Sequence, residues 1–289
     1  MDRELKSIVA RARADRVSGA SEVARKAADS IAAFLKDSGR TPSRKELKEF
    51  AIALVNSQPN MGSMWNLANS ILLSDLSSQE IRRICSEAVR HHLSAPGRIG
   101  ALAAALIQNR VVVTNSSSAA VLDALARVPR KAKTKVLIPE SRPMREGVAL
   151  AKRLAAMGVE VTLFSDASLA RAVSRAEVAI AGVDAVTPWG VVGKVGLTHL
   201  ALCAKEYSVE CYACADSSKF ALLSYKPDNR PPDELLTNTP RGVSVENVYF
   251  EEVPQRLFTA IITETGCLKP RQVSACLSEM RIAEELRDR

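Results

Sequence analysis

The sequence predicts an α/β fold in which a helical N-terminal domain precedes a domain with a mainly parallel sheet. Two observations indicate this fold. Residues 1 to about 107 carry apolar side chains at helical spacing throughout. From Arg110 onward, short apolar runs alternate with helical stretches, which is the pattern of a parallel sheet covered by helices. We therefore predict two domains, one covering residues 1–107 and the other residues 108–289.

The first domain is predicted to contain four helices separated by breaks rich in glycine, proline and polar residues. Apolar repeats mark the first two helices at 23–35 and 47–54, and a third helix begins beyond residue 63. Thr41, Ser43 and Glu46 supply the start of the second helix. The fourth covers about 78–92, after which the A-P-G sequence is expected to break it.

His91 and His92 then fall near the C-terminus of the fourth helix, where a partly charged imidazole is favourable. Adjacent residues on a helix do not easily converge on one metal ion. We therefore interpret the two histidines as capping residues and expect neither a metal site nor a bound cofactor.

Five strand-like runs follow, separated by helical stretches at 117–127, 145–157, 167–174 and 194–207. The runs are V-V-V-T, K-V-L-I-P, V-E-V-T-L-F, E-V-A-I-A-G-V-D-A-V and V-E-C-Y-A-C-A. Right-handed crossovers bring the carboxyl ends of parallel strands to one edge of a sheet. The polar residues after each strand are therefore expected to line a common crevice.

The stretch R-V-V-V-T-N-S-S-S, which continues into A-A-V-L-D-A-L-A, predicts a strand, a loop and a helix. The helix N-terminus then lies at the carboxyl edge of the strand, where its unpaired N–H groups favour an anion such as phosphate. The candidate ligand-binding side chains here are Asn115, Ser116, Ser117 and Ser118. On this stretch alone, the alternative that they only cap the helix stays open.

The loops after the other strands add charged candidates. Glu140 and Arg142 follow the second strand, where a guanidinium suits phosphate and a carboxylate suits sugar hydroxyls. Asp184 ends the fourth strand, and Gly193 and Lys194 are expected to open the next helix and bind a second phosphate. We expect these side chains to share one crevice with the asparagine of the first loop. The fingerprints G-x-x-x-x-G-K-[ST] and G-x-G-x-x-G of triphosphate and dinucleotide sites are absent.

Composition narrows the function classes. The formal net charge is +8, but lysines and arginines are scattered among 32 acidic residues, and aromatic residues make up only 4%. Direct nucleic-acid binding is therefore not expected. No run of about 18 apolar residues and no signal peptide occurs, so we expect a cytoplasmic protein without a membrane span. The six cysteines, including Cys211 and Cys214, are interpreted as thiols without disulfides.

Seven motifs in a fixed order carry a resemblance to a known family. They are T-N-S-S-S, E-S-R-P-x-x-E-G, A-G-V-D-A-V, G-K-x-G-x-T, S-S-K-F, V-E-N-V-Y-F-E-E-V-P and I-I-T-E-T-G. Over about 110–270 the chain resembles the family of initiation factor 2B alpha, beta and delta subunits, which also contains methylthioribose-1-phosphate isomerase and archaeal ribose-1,5-bisphosphate isomerase. The resemblance implies that the second domain is Rossmann-like and forms a homodimer. It also implies a pocket for a sugar phosphate or nucleoside monophosphate between the two domains.

The resemblance also implies roles for individual residues. The isomerases carry a cysteine where this chain has Ser116, and an aspartate where it has Asp184. Near the first long helix, Arg16 and Gly19 keep part of a family phosphate contact, whereas Gln58 stands where the isomerases have an arginine. The full ligand-binding set is Arg16, Gly19, Asn115, Ser116, Ser117, Ser118, Glu140, Arg142, Glu146, Asp184, Gly193, Lys194 and Lys219.

Two functions follow. Because the phosphate-binding loops are kept while the thiol is missing, we favour a regulatory subunit of the initiation factor 2B type, with initiation factor 2 as a candidate partner. The alternative is an aldose–ketose isomerase in which Asp184 is the acid/base and Ser116 replaces the cysteine. The apolar segment 257–262 and the T-E-T-G segment 263–266 are expected at the homodimer interface.

Overall fold

The computed structural model describes residues 1–37, 42–129 and 131–287. Among these residues, five helices form a layer at the start of the chain, which confirms the helical N-terminal region. They are α1 (Arg3–Ala14), α2 (Ala20–Asp37), α3 (Arg44–Ser57), α4 (Gly62–Leu73) and α5 (Ser78–Ile107). Ser43 and Glu46 form the expected capping box of α3, each side chain accepting from the other residue's backbone N–H. Thr41 lies outside the described residues.

The rest of the chain builds a seven-stranded sheet with helices on both faces, and this confirms the predicted α/β class. The elements are β1 (Val111–Val113), α6 (Ala119–Arg127), β2 (Lys135–Pro139), α7 (Glu146–Ala156), β3 (Glu160–Phe164), α8 (Leu169–Val173), β4 (Val178–Gly182), β5 (Ala185–Val186), β6 (Val191–Lys194), α9 (Leu197–Glu206), β7 (Glu210–Cys214), β8 (Phe250–Val253), β9 (Ala260–Thr263), β10 (Gly266–Leu268) and α10 (Pro270–Ser278). The strand order is β10-β9-β7-β4-β1-β2-β3, and only β10 runs antiparallel to its neighbour.

Helix α5 does not break at A-P-G. It runs for 30 residues with Pro96 inside it, so the predicted break was wrong. A proline inside a helix costs about 3 kcal/mol or more, but the residues beyond it are buried: Ile99, Ala103 and Ile107 are at most 2% exposed in the core that α6 and the sheet share. Burial of this second half offsets the local cost.

The segment after β4 also differs from the prediction. The run A-G-V-D-A-V splits, and β5, β6 and β8 pair into a separate antiparallel sheet. Gly193 and Lys194 therefore belong to a strand and not to a helix start, which corrects the prediction. The next helix begins only at Leu197, after Gly196 has turned the chain with a φ of +95°.

The C-terminal residues return to the helical layer. Asn69 on α4 donates to the carbonyl of Arg281 and accepts from the N–H of Ala283. Ala283 and Leu286, at most 4% exposed, pack in the same core as the first five helices. The division into independent units at residue 107 stays a prediction.

Two further expectations concern the cysteines and the membrane. The six cysteines are free thiols. Cys211 and Cys214 are buried on β7, and burial raises the pKa of each thiol to about 12. Cys267 and Cys276 are exposed. Among the described residues, no helix is both long and apolar enough to cross a bilayer.

Candidate ligand-binding cleft

A cleft of about 670 Å³ lies between the helical layer and the carboxyl edge of the parallel sheet. Its volume lies within the range of small-molecule sites. The sequence-predicted residues that line it are Arg16, Gly19, Asn115, Ser116, Ser117, Ser118, Glu146, Asp184, Lys194 and Lys219. The strand-end rule and the family motifs therefore converge on one place in the fold.

Three predicted residues do not line this cleft. Glu140 faces Arg145, with 3.5 Å between carboxylate and guanidinium, and Gly193 packs against Leu197. Arg142 lines a neighbouring cavity of about 340 Å³ and donates to the carbonyl of Glu234. The expectation that Glu140 and Arg142 share one crevice with Asp184 and Lys194 was therefore wrong, although Arg142 and Asn115 line the neighbouring cavity together.

Asp166 is the physical reason for this difference. Its carboxylate accepts from the backbone N–H groups of Ser141 and Arg142, both at 2.8 Å. These two bonds hold the loop after β2 toward the end of β3 and away from the cleft. In the sequence, Asp166 looks like an ordinary acidic residue at the start of a short helical turn, and nothing marks it as the residue that binds the loop after β2.

The loop after β1 contains three serines whose hydroxyls make no hydrogen bond to other described residues. Ser116 has a left-handed backbone, with a φ of +59°, and its N–H donates to Ser141 Oγ at 3.0 Å. Ser118 precedes α6, yet its side chain makes no capping bond to the first turn. In the described part of the chain, no hydrogen bond involves the hydroxyls of Ser116, Ser117 or Ser118. This favours an external partner for the loop over helix capping alone.

Asn115 has a different role from the serines. Its side-chain amide donates to the carbonyls of Lys194 and Val195, each at 3.3 Å. Asn115 is 5% exposed, so these bonds fix the loop after β1 to the end of β6. The residue positions the cleft wall, whether or not it also contacts a ligand.

Two buried lysines place positive charge in the cleft. Lys194 is 6% exposed, and its Nζ lies 2.8 Å from Glu146 Oε1 and 4.5 Å from the ring centre of Tyr249. Lys219 is 9% exposed and donates to the carbonyl of Val183 at 2.8 Å. Buried ammonium groups of this kind suit a phosphate or carboxylate on the ligand.

Asp184 lies where the helical layer meets the sheet. Its carbonyl accepts from the N–H of Gly62 at 2.9 Å, and its carboxylate is 3.4 Å from the N–H of Ala20. Burial raises the pKa of Asp184 above its usual value, against the opposing charges of Lys219 and Lys194. A carboxyl group with a raised pKa is suited to hold or transfer a proton.

The second predicted phosphate position is already occupied. Glu251 accepts from the N–H of Thr198 at 3.0 Å and from its hydroxyl at 2.7 Å, so it caps the N-terminus of α9. An internal carboxylate therefore occupies the helix N-terminus where we expected an anionic ligand, so that part of the prediction was wrong, whereas Lys194 lines the cleft. The signal was the motif V-E-N-V-Y-F-E-E, whose acidic residues had no assigned role.

Asp216 is the main residue that sequence reasoning missed. Its carboxylate accepts from Ser21 Oγ at 2.9 Å, lies 3.1 Å from His91 Nε2, and lines the cleft. Burial disfavours the charged form, but the hydrogen bond from His91 and the charge of Lys219 outweigh it and hold the pKa of Asp216 well below its usual range. Asp216 lies just after β7, separated from it by Ala215, so the strand-end rule that selected Asp184 would also have found it.

The interpretation of the histidines also needs correction. Because α5 continues to Ile107, His91 and His92 lie in its interior and cap no helix end. They nevertheless converge: one ligand atom from each and one from Asp216 lie within 4.8 Å of one another.

The fold and the cleft define a class of protein with a helical layer packed over the carboxyl edge of a mostly parallel, Rossmann-like sheet. Comparison with known proteins identifies the group within that class. The chain belongs to the Initiation factor 2 subunit family, whose model matches residues 16–270. This confirms the resemblance inferred from the seven motifs.

Relatives of this chain carry two kinds of name. A Pyrococcus furiosus protein named "Putative translation initiation factor eIF-2B subunit 2-like" is 30% identical over 89% of this chain and 93% of its own. An Archaeoglobus fulgidus protein named ribose 1,5-bisphosphate isomerase is 28% identical over 91% of this chain and 89% of its own. The solved structure of Pyrococcus horikoshii translation initiation factor eIF-2B superposes with a TM-score of 0.81 at 28% identity, covering 93% and 98% of the two chains.

Proposed function

We propose that the protein is a regulatory subunit of the initiation factor 2B type that binds a phosphorylated pentose or a nucleoside monophosphate in the cleft. The observation that carries the proposal is the loop after β1. Ser116, Ser117 and Ser118 offer hydroxyls at the N-terminus of α6 and face the same cleft as Lys194 and Lys219. Hydroxyls, helix N–H groups and ammonium groups together suit a phosphate.

The cleft holds no reactive thiol to carry the isomerase chemistry. Ser116 stands where the resemblance places the cysteine of the isomerases. Cys214 also lines the cleft, but burial raises its pKa to about 12, so it stays a protonated thiol at neutral pH. Binding without turnover is the function that this set of residues supports best.

The second candidate function is an aldose–ketose isomerase. Asp184 supports it, since burial raises the pKa of this carboxyl group and so favours a proton-transfer role. The relatives named ribose 1,5-bisphosphate isomerase support it as well. In this reading Ser116 replaces the missing thiol.

The proposal also includes the oligomeric state of the protein. Family members include subunits of an oligomeric eIF2B complex, and we propose a dimer-based homo-oligomer with initiation factor 2 as the further partner. The apolar character of 257–262 has another explanation: Ile261 and Ile262 are at most 2% exposed inside their own sheet. A monodisperse monomer at micromolar concentration in light scattering would contradict the homo-oligomer.

The test of the regulatory function is a thermal-shift screen of phosphorylated pentoses and nucleoside monophosphates, followed by turnover assays with every binder. A ligand at 100 times its Kd stabilises the native state by about 2.7 kcal/mol. We expect binding without turnover, and Asp184→Asn should change the affinity by at most about 1.5–3 kcal/mol. Wild-type turnover of ribose 1,5-bisphosphate or methylthioribose 1-phosphate that Asp184→Asn abolishes and Ser116→Cys raises would establish the isomerase instead.

A further inference from the structure

Three side chains from two layers of the fold meet beside the cleft. His91 and His92 come from α5, whereas Asp216 comes from the loop after β7. One ligand atom of each lies within 4.8 Å of the other two. The chain has only three histidines, so two of them are gathered at this place.

One of these imidazoles has a ring nitrogen without a partner. His92 is 6% exposed, and its Nδ1 is buried with no hydrogen bond to any described residue. A buried polar atom in a native fold normally has a partner, and a neutral imidazole nitrogen is a common metal ligand.

The spacing of the other two groups suits a metal ion. His91 Nε2 lies 3.1 Å from Asp216 Oδ1. Ligands at zinc bond lengths of about 2.0–2.2 Å stand about 3.3–3.6 Å apart in a tetrahedral site. To admit the ion, these two atoms separate slightly and the His92 ligand atom, which lies within 4.8 Å of both, moves to the same spacing.

We propose that His91, His92 and Asp216 bind one divalent transition-metal ion, for which zinc fits the donor set best. Two imidazoles and one carboxylate are ligands that zinc accepts, and three protein ligands leave a fourth position for water. Lys219 acts electrostatically on Asp216 and His92, which limits the affinity. The bound ion joins α5 to the carboxyl edge of the sheet and so stiffens one wall of the cleft.

The test is a titration of the purified, chelator-treated full chain with Co²⁺, followed by visible absorption, and then displacement of Co²⁺ by Zn²⁺. We expect one equivalent to bind with an imidazole and carboxylate spectrum that lacks the strong near-ultraviolet band of a thiolate ligand. His91→Gln and His92→Gln should each weaken binding at least about tenfold. His199→Gln, the matched control on α9 outside the cluster, should leave the affinity unchanged.

A thermal melt of the same variants without metal supplies the check on folding. His91 is only partly buried, so His91→Gln keeps the test decisive even where His92→Gln fails to fold. Zn²⁺ should raise the Tm of the wild type and of His199→Gln but not of His91→Gln. The proposal is overturned by wild-type protein that binds no stoichiometric Co²⁺, or by binding that His91→Gln leaves intact.

Discussion

Lys194 Nζ and Glu146 Oε1 lie 2.8 Å apart and join the end of β6 to the start of α7 across the wall of the cleft. Both residues were predicted to bind ligand, yet in the folded chain they bind each other. The second oxygen of Glu146 is buried without a hydrogen-bond partner among the described residues. A ligand hydroxyl could supply that partner, while its phosphate takes the lysine.

Lys194→Met should therefore affect both stability and binding. The substitution leaves the Glu146 carboxylate without its cation, and we expect a loss of about 1.5–3 kcal/mol in the free energy of unfolding. The affinity for any phosphorylated ligand should fall in parallel. Urea denaturation measures the first effect and calorimetry the second. The matched control is Lys135→Met, which breaks the exposed Lys135 and Glu160 pair and should change little.

A second prediction concerns how closely β4 approaches the loop after β1. A Cβ placed on Gly182 would stand 2.3 Å from the Cβ and Oγ of Ser118. Gly182→Ala should therefore push the loop away, lower stability by about 1–3 kcal/mol, and weaken ligand binding at least about tenfold.

Gly19→Ala is the control for that prediction. Gly19 lines the same cleft, but nothing lies within 4 Å of a Cβ added there. The free energy of unfolding of Gly19→Ala should equal or slightly exceed that of the wild type, because alanine reduces the conformational freedom of the unfolded chain. Equal losses of stability in the Gly182 and Gly19 variants would contradict the close-approach argument. Denaturant melts of both proteins make the comparison.

Local patterns were sufficient for most of the fold. Short apolar runs between helical stretches located β1, β2, β3, β4 and β7, and the serine-rich loop located α6. Pro96 misled the prediction because only tertiary burial of Ile99 and Ala103 explains why α5 continues. The separate β5, β6 and β8 sheet was missed because its pairing joins residues far apart in the sequence.

Part of the candidate site was also predictable from local sequence patterns. Asp184 lies just after β4, so the carboxyl-edge rule selects it, whereas Lys219 lies in a turn beyond β7 and was selected through the family motif S-S-K-F. The turn of Glu140 away from the cleft depends on Asp166, and the occupied N-terminus of α9 depends on Glu251. These contacts are set by the folded geometry, and a single sequence does not encode them in any local pattern.

A third prediction links the acidity of Asp184 to stability. Because its folded pKa is raised, the folded state binds a proton more readily than the unfolded state, and the ionised form costs stability as pH rises above the usual value of about 4. Asp184→Asn carries no such charge. The variant should therefore melt at a higher temperature than the wild type at pH 7, and the difference should shrink toward zero in acid. A Tm difference that grows as pH falls would contradict this account.

A fourth prediction concerns the loop that carries Arg16. Asp15 accepts from the N–H groups of Val17 and Ser18 and pairs with Lys26 at 2.9 Å. Burial opposes the charge on Asp15, but these hydrogen bonds lower its pKa to about 2. Its stabilising effect is therefore fully present above the usual pKa of 3.8 and is lost as pH falls through about 2.

Asp15→Asn should remove about 2 kcal/mol of stability at pH 7 and less at pH 2–3. Circular dichroism during acid titration of the two proteins measures the difference. Asp29→Asn supplies a control, because Asp29 is half exposed and pairs with Arg25 on the surface of α2. A constant gap between wild type and Asp15→Asn over the whole pH range would contradict the assignment.

The return of Ala283 and Leu286 to the core of the first helices has a consequence for synthesis on the ribosome. The N-terminal part of the chain emerges first, but two side chains of its helical core are translated only after the strands of the sheet. Lys48 on α3 likewise forms an ion pair with Glu285, at 2.6 Å, which can form only after Glu285 has been translated. Domains commonly fold one after another during translation. Here the helical layer exposes an unfilled apolar surface until nearly the whole sheet has been made, so chaperone capture of the nascent chain should persist until then.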